Sequence, residues 1–336
     1  MVVIAMITRL KVSPPTHTTP TAAGIPIRPT STLCIRLFIR RQIYPLNSNM
    51  NLYTLPVSQP YKVLLTGDSD FVIEFAARLD GHAIPFNILP PMDMMDELDM
   101  ELDLVDVGLG ESAMDAENYG SFSDRVLGDV RSEAGTFTHI VDLSVASLQE
   151  RQATLEIAGA VNPLATVMVS CLTNTATEIG MLTGQGGRVV GVGLAPSLMS
   201  TSTRVDVAAG LNSTPNHLES AVRLLTTLDY GVDVVEDRVA LVQLRILAML
   251  INEAAFAVME GVATPADIDH AMKLGVNYPK GLLSWADEIG IPVVLLILDN
   301  LHREYQQERY RPCVLLKQYS RAGWSGKAAG RGFYTY

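Results

Sequence analysis

One short order of signals limits this chain more than any other. The apolar run Lys62 to Thr66 (KVLLT) stops on Gly67, after which Phe71, Phe75 and Leu79 recur every four residues, and Gly81-His82 then precedes a second apolar run, Ala83 to Leu89. A four-residue recurrence marks one face of a helix, while short unbroken apolar runs mark strands buried on both faces. Strand, helix, strand in this order brings the second strand back parallel to the first, because the intervening helix returns the chain to its starting edge. Further strand-like runs follow at His139 to Leu143, Ala165 to Leu172 and Arg188 to Val192, with the helical stretch Gln149 to Ala158 between the first two. The expected fold is therefore α/β, a doubly wound parallel sheet.

From Asp237 onward the pattern becomes wholly helical. Val239 to Met259 is a long apolar-periodic stretch ended by Gly261, and Thr264-Pro265-Ala266-Asp267 starts a new helix running to Gly275. A threonine cap, a proline at the first helical position and an acid in the first turn all suit the positive end of a helix. A turn at Tyr278-Pro279-Lys280-Gly281 leads into helical stretches Leu283 to Ile289 and Val293 to Tyr305. The expected division is an extension over 1–49, a sheet domain over 50–235 and a helical domain over 236–336.

Composition excludes several classes of partner. With 336 residues, 48% of them hydrophobic, the chain can bury substantial cores. Its 36 acidic residues outnumber 25 basic ones, giving a formal charge of −11. That balance argues against nucleic acid and against an anionic membrane surface. The most apolar helical run, Ile289 to Leu298, is far too short for a span and contains Pro292. Cys34, Cys171 and Cys313 are widely spaced, suggesting neither a disulfide framework nor a zinc site, so a reducing, cytoplasmic setting and no metal are expected. Residues 1–49 hold Arg9, Lys11, Arg28, Arg36, Arg40 and Arg41, no acid, and turn-forming Pro14, Pro15, Pro20, Pro26 and Pro29. They read as a disordered extension or an upstream start before Met50, with a transit-type address as the other reading. Between Asp93 and Glu117 lie ten acids and no base, expected to form a solvated face, an acidic docking surface being the alternative.

Several motifs of the C-terminal third give the pattern a family. They are Ile251-Asn252-Glu253-Ala254, Glu260-Gly261-Val262-Ala263, Asp267-Ile268-Asp269, Ala271-Met272-Lys273-Leu274-Gly275, Tyr278-Pro279-x-Gly281, Ala286-Asp287-x-Ile289-Gly290 and Gly323-x-x-Gly326-Lys327-x-x-Gly330-x-Gly332-Phe333-Tyr334-x-Tyr336. In this order they resemble the helical domain of the 3-hydroxyacyl-CoA and 3-hydroxybutyryl-CoA dehydrogenases. The likeness extends more weakly over Val63 to Ile88 and Ala165 to Gly210. The resemblance implies a Rossmann-like domain that binds NAD, a helical domain that forms a homodimer, and an acyl-CoA in the cleft between them. The implied reaction moves a hydride between C3 of a 3-hydroxyacyl-CoA and nicotinamide.

The positions that the resemblance assigns to chemistry hold other residues. A dinucleotide turn needs three glycines, for the tight turn, for backbone approach to the pyrophosphate and for helix packing. Gly67-Asp68-Ser69-Asp70-Phe71-Val72 keeps only the first, and Asp68 and Asp70 bring negative charge to a helix start that would otherwise attract phosphate. The ribose-binding acid falls on Asn87. The general-base histidine falls on Gly193, in Gly191-Val192-Gly193-Leu194-Ala195-Pro196, and its orienting glutamate on Asp206. The family's serine falls on Leu172 or Thr173, and its asparagine on Leu244. With no imidazole at Gly193, no group there has a pKa near neutrality to take the hydroxyl proton.

Three functional readings follow. The first is a family protein of acyl-CoA or fatty-acid metabolism with lost or strongly reduced NAD-dependent activity, still holding an acyl-CoA-like ligand and forming a homodimer. The second is an active NAD-dependent dehydrogenase with a rearranged site. A third, a non-catalytic dimerisation or scaffold module, predicts a cleft filled by its own side chains. Phe333, Tyr334, Tyr336, Trp285 and Trp324 are expected to pack as core or interface aromatics, Leu247 and Ile251 to suit a dimer seam, and His217 and His302 to lie on the surface.

Overall fold

The computed structural model describes residues 61–91 and 117–336. The extension over 1–49 and nearly all of the acidic stretch therefore lie outside the described residues. Seven strands form one sheet in the order β2-β1-β3-β4-β5-β6-β7. They are β1 (Val63–Gly67), β2 (Phe86–Ile88), β3 (His139–Leu143), β4 (Thr166–Ser170), β5 (Val189–Val192), β6 (Arg204–Ala209) and β7 (Gly231–Val234). The connecting helices are α1 (Ser69–Gly81), α2 (Leu148–Val161), α3 (Ala176–Leu182) and α4 (Pro215–Thr227).

The fold class is as expected, with one departure. β6 runs antiparallel to β5, pairing Val192 with Val207, and all other neighbours are parallel. The reason is local: only a loop without a helix joins β5 to β6, so the chain turns back, whereas α4 carries it across to a parallel β7. Neither β6 nor β7 stands out in the sequence, since β7 is largely half-buried and lacks a continuous apolar run.

Alternate side chains on the strands feed two cores, as a period of two requires. Val63, Leu65, Val141, Leu143, Met168 and Val190 join the side covered by α1 and α4, while Leu64, Ile140, Val167, Val169 and Val189 join the side covered by α2 and α3. The first of these cores runs without interruption into the helical region. That region consists of α5 (Gln243–Met259), α6 (Pro265–Gly275), α7 (Leu282–Ile289), α8 (Ile291–Tyr305) and α9 (Val314–Arg321). Among the described residues no helix is long and apolar enough to cross a membrane.

The C-terminal motifs prove to be a network of buried carboxylates and close-approach glycines. Asp269 accepts the N–H groups of Leu283 and Ser284 at 2.8 and 2.9 Å, together with the hydroxyls of Ser284 and Tyr334. Asp287 accepts the N–H groups of Phe333 and Tyr334 at 2.8 and 2.9 Å and the Tyr336 hydroxyl at 3.2 Å. A Cβ on Gly281 would stand 2.0 Å from Asp269 Cγ, and one on Gly332 would stand 2.0 Å from Asp287 Oδ1, so both glycines are fixed by these carboxylates. Tyr334 packs against the core and also donates its hydroxyl to Asp269, whereas Tyr336 is exposed and is tied to Asp287 by its hydroxyl, so packing does not describe it. Trp324 does pack, 5.0 Å from Tyr319 and under the Arg331 guanidinium at 3.5 Å. On α5, Asn252 donates to Arg311 O and accepts the Cys313 N–H, holding the chain between α8 and α9. Ile251 is fully buried within the chain's own core, whereas Val242 and Ile246 are exposed.

Candidate functional site

The carboxyl ends of β1, β3, β4 and β5 form the crevice in which open α/β sheets bind ligands, centred where the chain leaves β1 for β2 on one side and returns to β3 on the other. Gly67 ends β1 with φ +117°, and a Cβ there would stand 2.5 Å from Leu143 C and Ser144 N, so the tight turn requires glycine. Asp68 follows, and its Oδ2 accepts the Val145 N–H at 2.7 Å, across the gap between β1 and β3. Ser69 is the first residue of α1, Asp70 is exposed in its first turn, and Val72, at the third glycine position, is fully buried.

Below this turn sits a buried ion pair. Arg151 donates from Nε and Nη2 to Asp142 Oδ2 at 2.8 and 2.6 Å, and Asp142 Oδ1 accepts the Ser144 N–H. Burial raises the Asp142 carboxyl above its ordinary range, Arg151 opposes that rise, and the charge of Asp68 adds to it. Asn87 lies in the middle of β2 and donates to Arg125 O at 3.3 Å, part of a segment that covers the outer edge of β2. One of its amide protons is therefore committed to the chain itself.

The other half of the crevice brings together most of the remaining predicted positions. Gly193 follows β5, and its N–H donates to Asp206 O at 2.9 Å. A Cβ there would lie 3.4 Å from both Asp206 Cβ and Leu241 Cδ1. Asp206 is buried in β6, and its Oδ2 accepts the N–H groups of Val242 and Gln243 at 3.0 and 2.6 Å. Asp206 is therefore a cap on α5, satisfying donors that a helix start leaves unpaired. Leu172 is fully buried in the core, Thr173 is buried and donates to Asn174 Oδ1, and Leu244 is buried on α5. Thr175 caps α3 by a reciprocal pair of bonds with Glu178, so Thr173-Asn174-Thr175 is a helix entry.

Asp206→Ala should lower the unfolding free energy by roughly 2 kcal/mol, since it strips a cap and leaves two amide protons without an acceptor. Urea denaturation would read this, and a stability unchanged from wild type would refute the capping role.

Two further anchors had no clear signal in the sequence. Asp237, in the link after β7, accepts Ala176 N–H, Thr177 N–H and the Thr177 hydroxyl at 2.9, 2.8 and 2.6 Å, capping α3 from a distance. Glu74 on α1 accepts the N–H groups of Ser197 and Ser200, both at 2.7 Å, and Arg78 donates to Met199 O at 2.9 Å. The loop after β5 is thereby tied to α1. Ala240 and Leu241, at φ 59° and 45°, stand in the left-handed region immediately before α5.

Three of the described histidines lie toward the opposite edge of the sheet. His139 opens β3, His82 lies just before β2 and pairs with Asp229 at 3.0 Å, and His217 meets Thr166, which opens β4, at 2.8 Å. His217 is thus half-buried and hydrogen-bonded, contrary to the surface position expected for it. Burial lowers the pKa of His217 and pushes His139 down to about 4, while the Arg78 carbonyl, followed by Asp229, raises that of His82. His270 is exposed on α6 and His302 is half-exposed on α8. Among the described residues no group of three or more His, Cys, Asp or Glu side chains could hold a metal ion.

Residues 242–336 match the family described as 3-hydroxyacyl-CoA dehydrogenase, C-terminal domain. The chain is 39% identical over 160 residues to a probable 3-hydroxybutyryl-CoA dehydrogenase of Bacillus subtilis, a match covering 48% of this chain and 55% of that protein. It is 34% identical over 181 residues to the 3-hydroxybutyryl-CoA dehydrogenase of Bradyrhizobium diazoefficiens, covering 54% and 61%. The helical region, residues 242–336, is thus of the 3-hydroxyacyl-CoA dehydrogenase C-terminal domain family. It spans between half and two thirds of the length of these curated relatives. The fold is also that of the (S)-3-hydroxybutyryl-CoA dehydrogenase PaaH1 of Ralstonia eutropha, with TM-score 0.65 and 21% identity over 83% of this chain and 99% of the other. Mycobacterium tuberculosis FadB2 superposes with TM-score 0.68 at 20% identity, over 83% of this chain and all of the other.

Within the 3-hydroxyacyl-CoA dehydrogenase fold, the residues present do not fit the dinucleotide that the resemblance implies. The tight turn at Gly67 remains, but the Asp68 carboxylate occupies an N–H beside it and brings negative charge, Ser69 adds a side chain, and Asn87 offers a ribose an amide in place of a carboxylate.

Proposed function

We propose that this is a 3-hydroxyacyl-CoA dehydrogenase-family protein of acyl-CoA metabolism whose NAD-dependent activity is lost or strongly reduced. One observation carries the reading: where the family places its base, Gly193 offers only backbone, and the neighbouring acid Asp206 is committed to capping α5. Absence of a positioned base costs about 10²–10⁴ in rate on general grounds. The reading keeps an acyl-CoA-like ligand in the cleft and a homodimer through the helical region, for which exposed Val242, just before α5, and Ile246 on α5 supply apolar surface. It also keeps a cytoplasmic setting.

The test is turnover of acetoacetyl-CoA with NADH by the full chain. The expected rate is no higher than that of an active relative whose base histidine has been replaced. A rate well above that control would favour the second reading, an active dehydrogenase with a rearranged site, which draws support from the names its relatives carry.

A further inference from the structure

We infer that Asp68 is a built-in occupant of the phosphate position, an intramolecular anion that bridges the β1–β3 crevice and keeps the dinucleotide pyrophosphate out. The inference rests on the proposed loss of NAD-dependent activity and assigns a large part of that loss to one side chain.

Three observations lead to it. First, the turn itself is preserved. Gly67 has the positive φ of a tight strand-to-helix turn and lies against Leu143 and Ser144, so the backbone still brings β1 and the β3–α2 loop together. Second, two donors of the β3–α2 loop that faces the turn are already used by carboxylates: the Val145 N–H goes to Asp68, and the Ser144 N–H goes to Asp142. Third, Asp68 makes no side-chain bond to the start of α1, although it stands at the position where a capping residue would do so. Aspartate there normally turns onto its own helix. Here it reaches across to another loop, so local helix chemistry does not account for its orientation.

The consequences for a ligand are electrostatic and steric together. Backbone N–H groups and a helix start attract a phosphate. A carboxylate already bonded to one of those groups removes a donor and adds repulsion, which in a half-solvated crevice amounts to roughly a tenfold loss of affinity for each phosphate charge brought within about 5 Å. The loss falls only on ligands with an anion at this point. A ligand that enters the cleft from the helical side, without a phosphate over Gly67, is unaffected.

The experiment is calorimetric titration of the full chain, and of its D68A and D68N forms, with NADH and with ADP. D68A frees the Val145 N–H and removes the charge, and is expected to bind both at least tenfold more tightly than wild type. D68N keeps an oxygen for Val145 but no charge, and should fall between them. Affinities for D68A within twofold of wild type would overturn the inference, as would no measurable binding by any of the three, while leaving the proposed loss of activity standing. Micromolar binding of NADH by wild type would instead overturn that loss at its cofactor step. D68A gives up the bond to Val145 N–H and is expected to melt somewhat below wild type; where it does not stay folded, D68N against wild type decides.

Discussion

Asp287→Ala is expected to lower the unfolding free energy by about 4 kcal/mol, from two losses of about 1–3 kcal/mol each. The carboxylate is buried and accepts the amide protons of Phe333 and Tyr334 and the hydroxyl of Tyr336. Removing it breaks bonds to a charged acceptor and strands amides that packing shields from water. Gly332 approaches Asp287 so closely that no larger residue could fill the space from that side, and so a cavity is left as well. Asp287→Asn separates shape from charge. Its amide oxygen can still serve one N–H while its NH₂ faces the other, so an intermediate loss is expected. Guanidinium denaturation followed by tryptophan fluorescence would measure both, with Trp324 close to the network. A loss under 1 kcal/mol for the alanine form would show that the C-terminal motif is not held by this carboxylate.

The second large effect is a dependence on pH seated at His139. Its ring is enclosed by Tyr61, Thr138, Ser220 and the neighbouring His217 and Arg223, and burial holds its pKa down at about 4. Unfolded, the imidazole has its ordinary value near 6.5. Between those values the unfolded chain binds the extra proton and the folded chain does not, so stability rises with pH across that window. The contribution is fully present above about 6.5 and lost as the pH falls toward 4, a span worth about 3 kcal/mol. Denaturation curves at pH 7.5 and 4.5 should differ by about that amount more in wild type than in His139→Gln, which cannot take the proton. The Asp142 and Asp287 carboxyls, raised by burial, work with the opposite sign, and the comparison with the variant cancels them. An NMR titration placing the folded His139 near 6.5 would remove the basis of this prediction.

How much the sequence revealed depended on whether a signal was local. The opening β1-α1-β2 unit was legible because Gly67, Phe71, Phe75 and Leu79 follow strand and helix periods within a few residues. The start of α6 was legible for the same reason, since Thr264, Pro265 and Asp267 are a self-contained cap. By contrast, β7 escaped because its side chains are mostly half-buried and carry no apolar run, and the reversed direction of β6 depends on the absence of a helix elsewhere. At the candidate site, the strand end before Gly193 and the apolar helix face that holds Leu244 could be read from their neighbours in the chain. What Asp68, Asp206 and Asp237 bond to could not: their partners lie 77, 36–37 and 60–61 residues away. One available signal was underused. An acid placed next to a tight turn or a link, with no base nearby in sequence, has to find amide protons somewhere.

The cap that Asp206 places on α5 bears on how relatives of this chain are judged. A carboxylate at that spot welds the reversed strand to the longest helix, so the folded state alone is reason enough for it, with or without a reaction to serve. An acid found at this spot in another member of the lineage is therefore no sign of catalysis by itself, because the helix start claims its oxygens in either case.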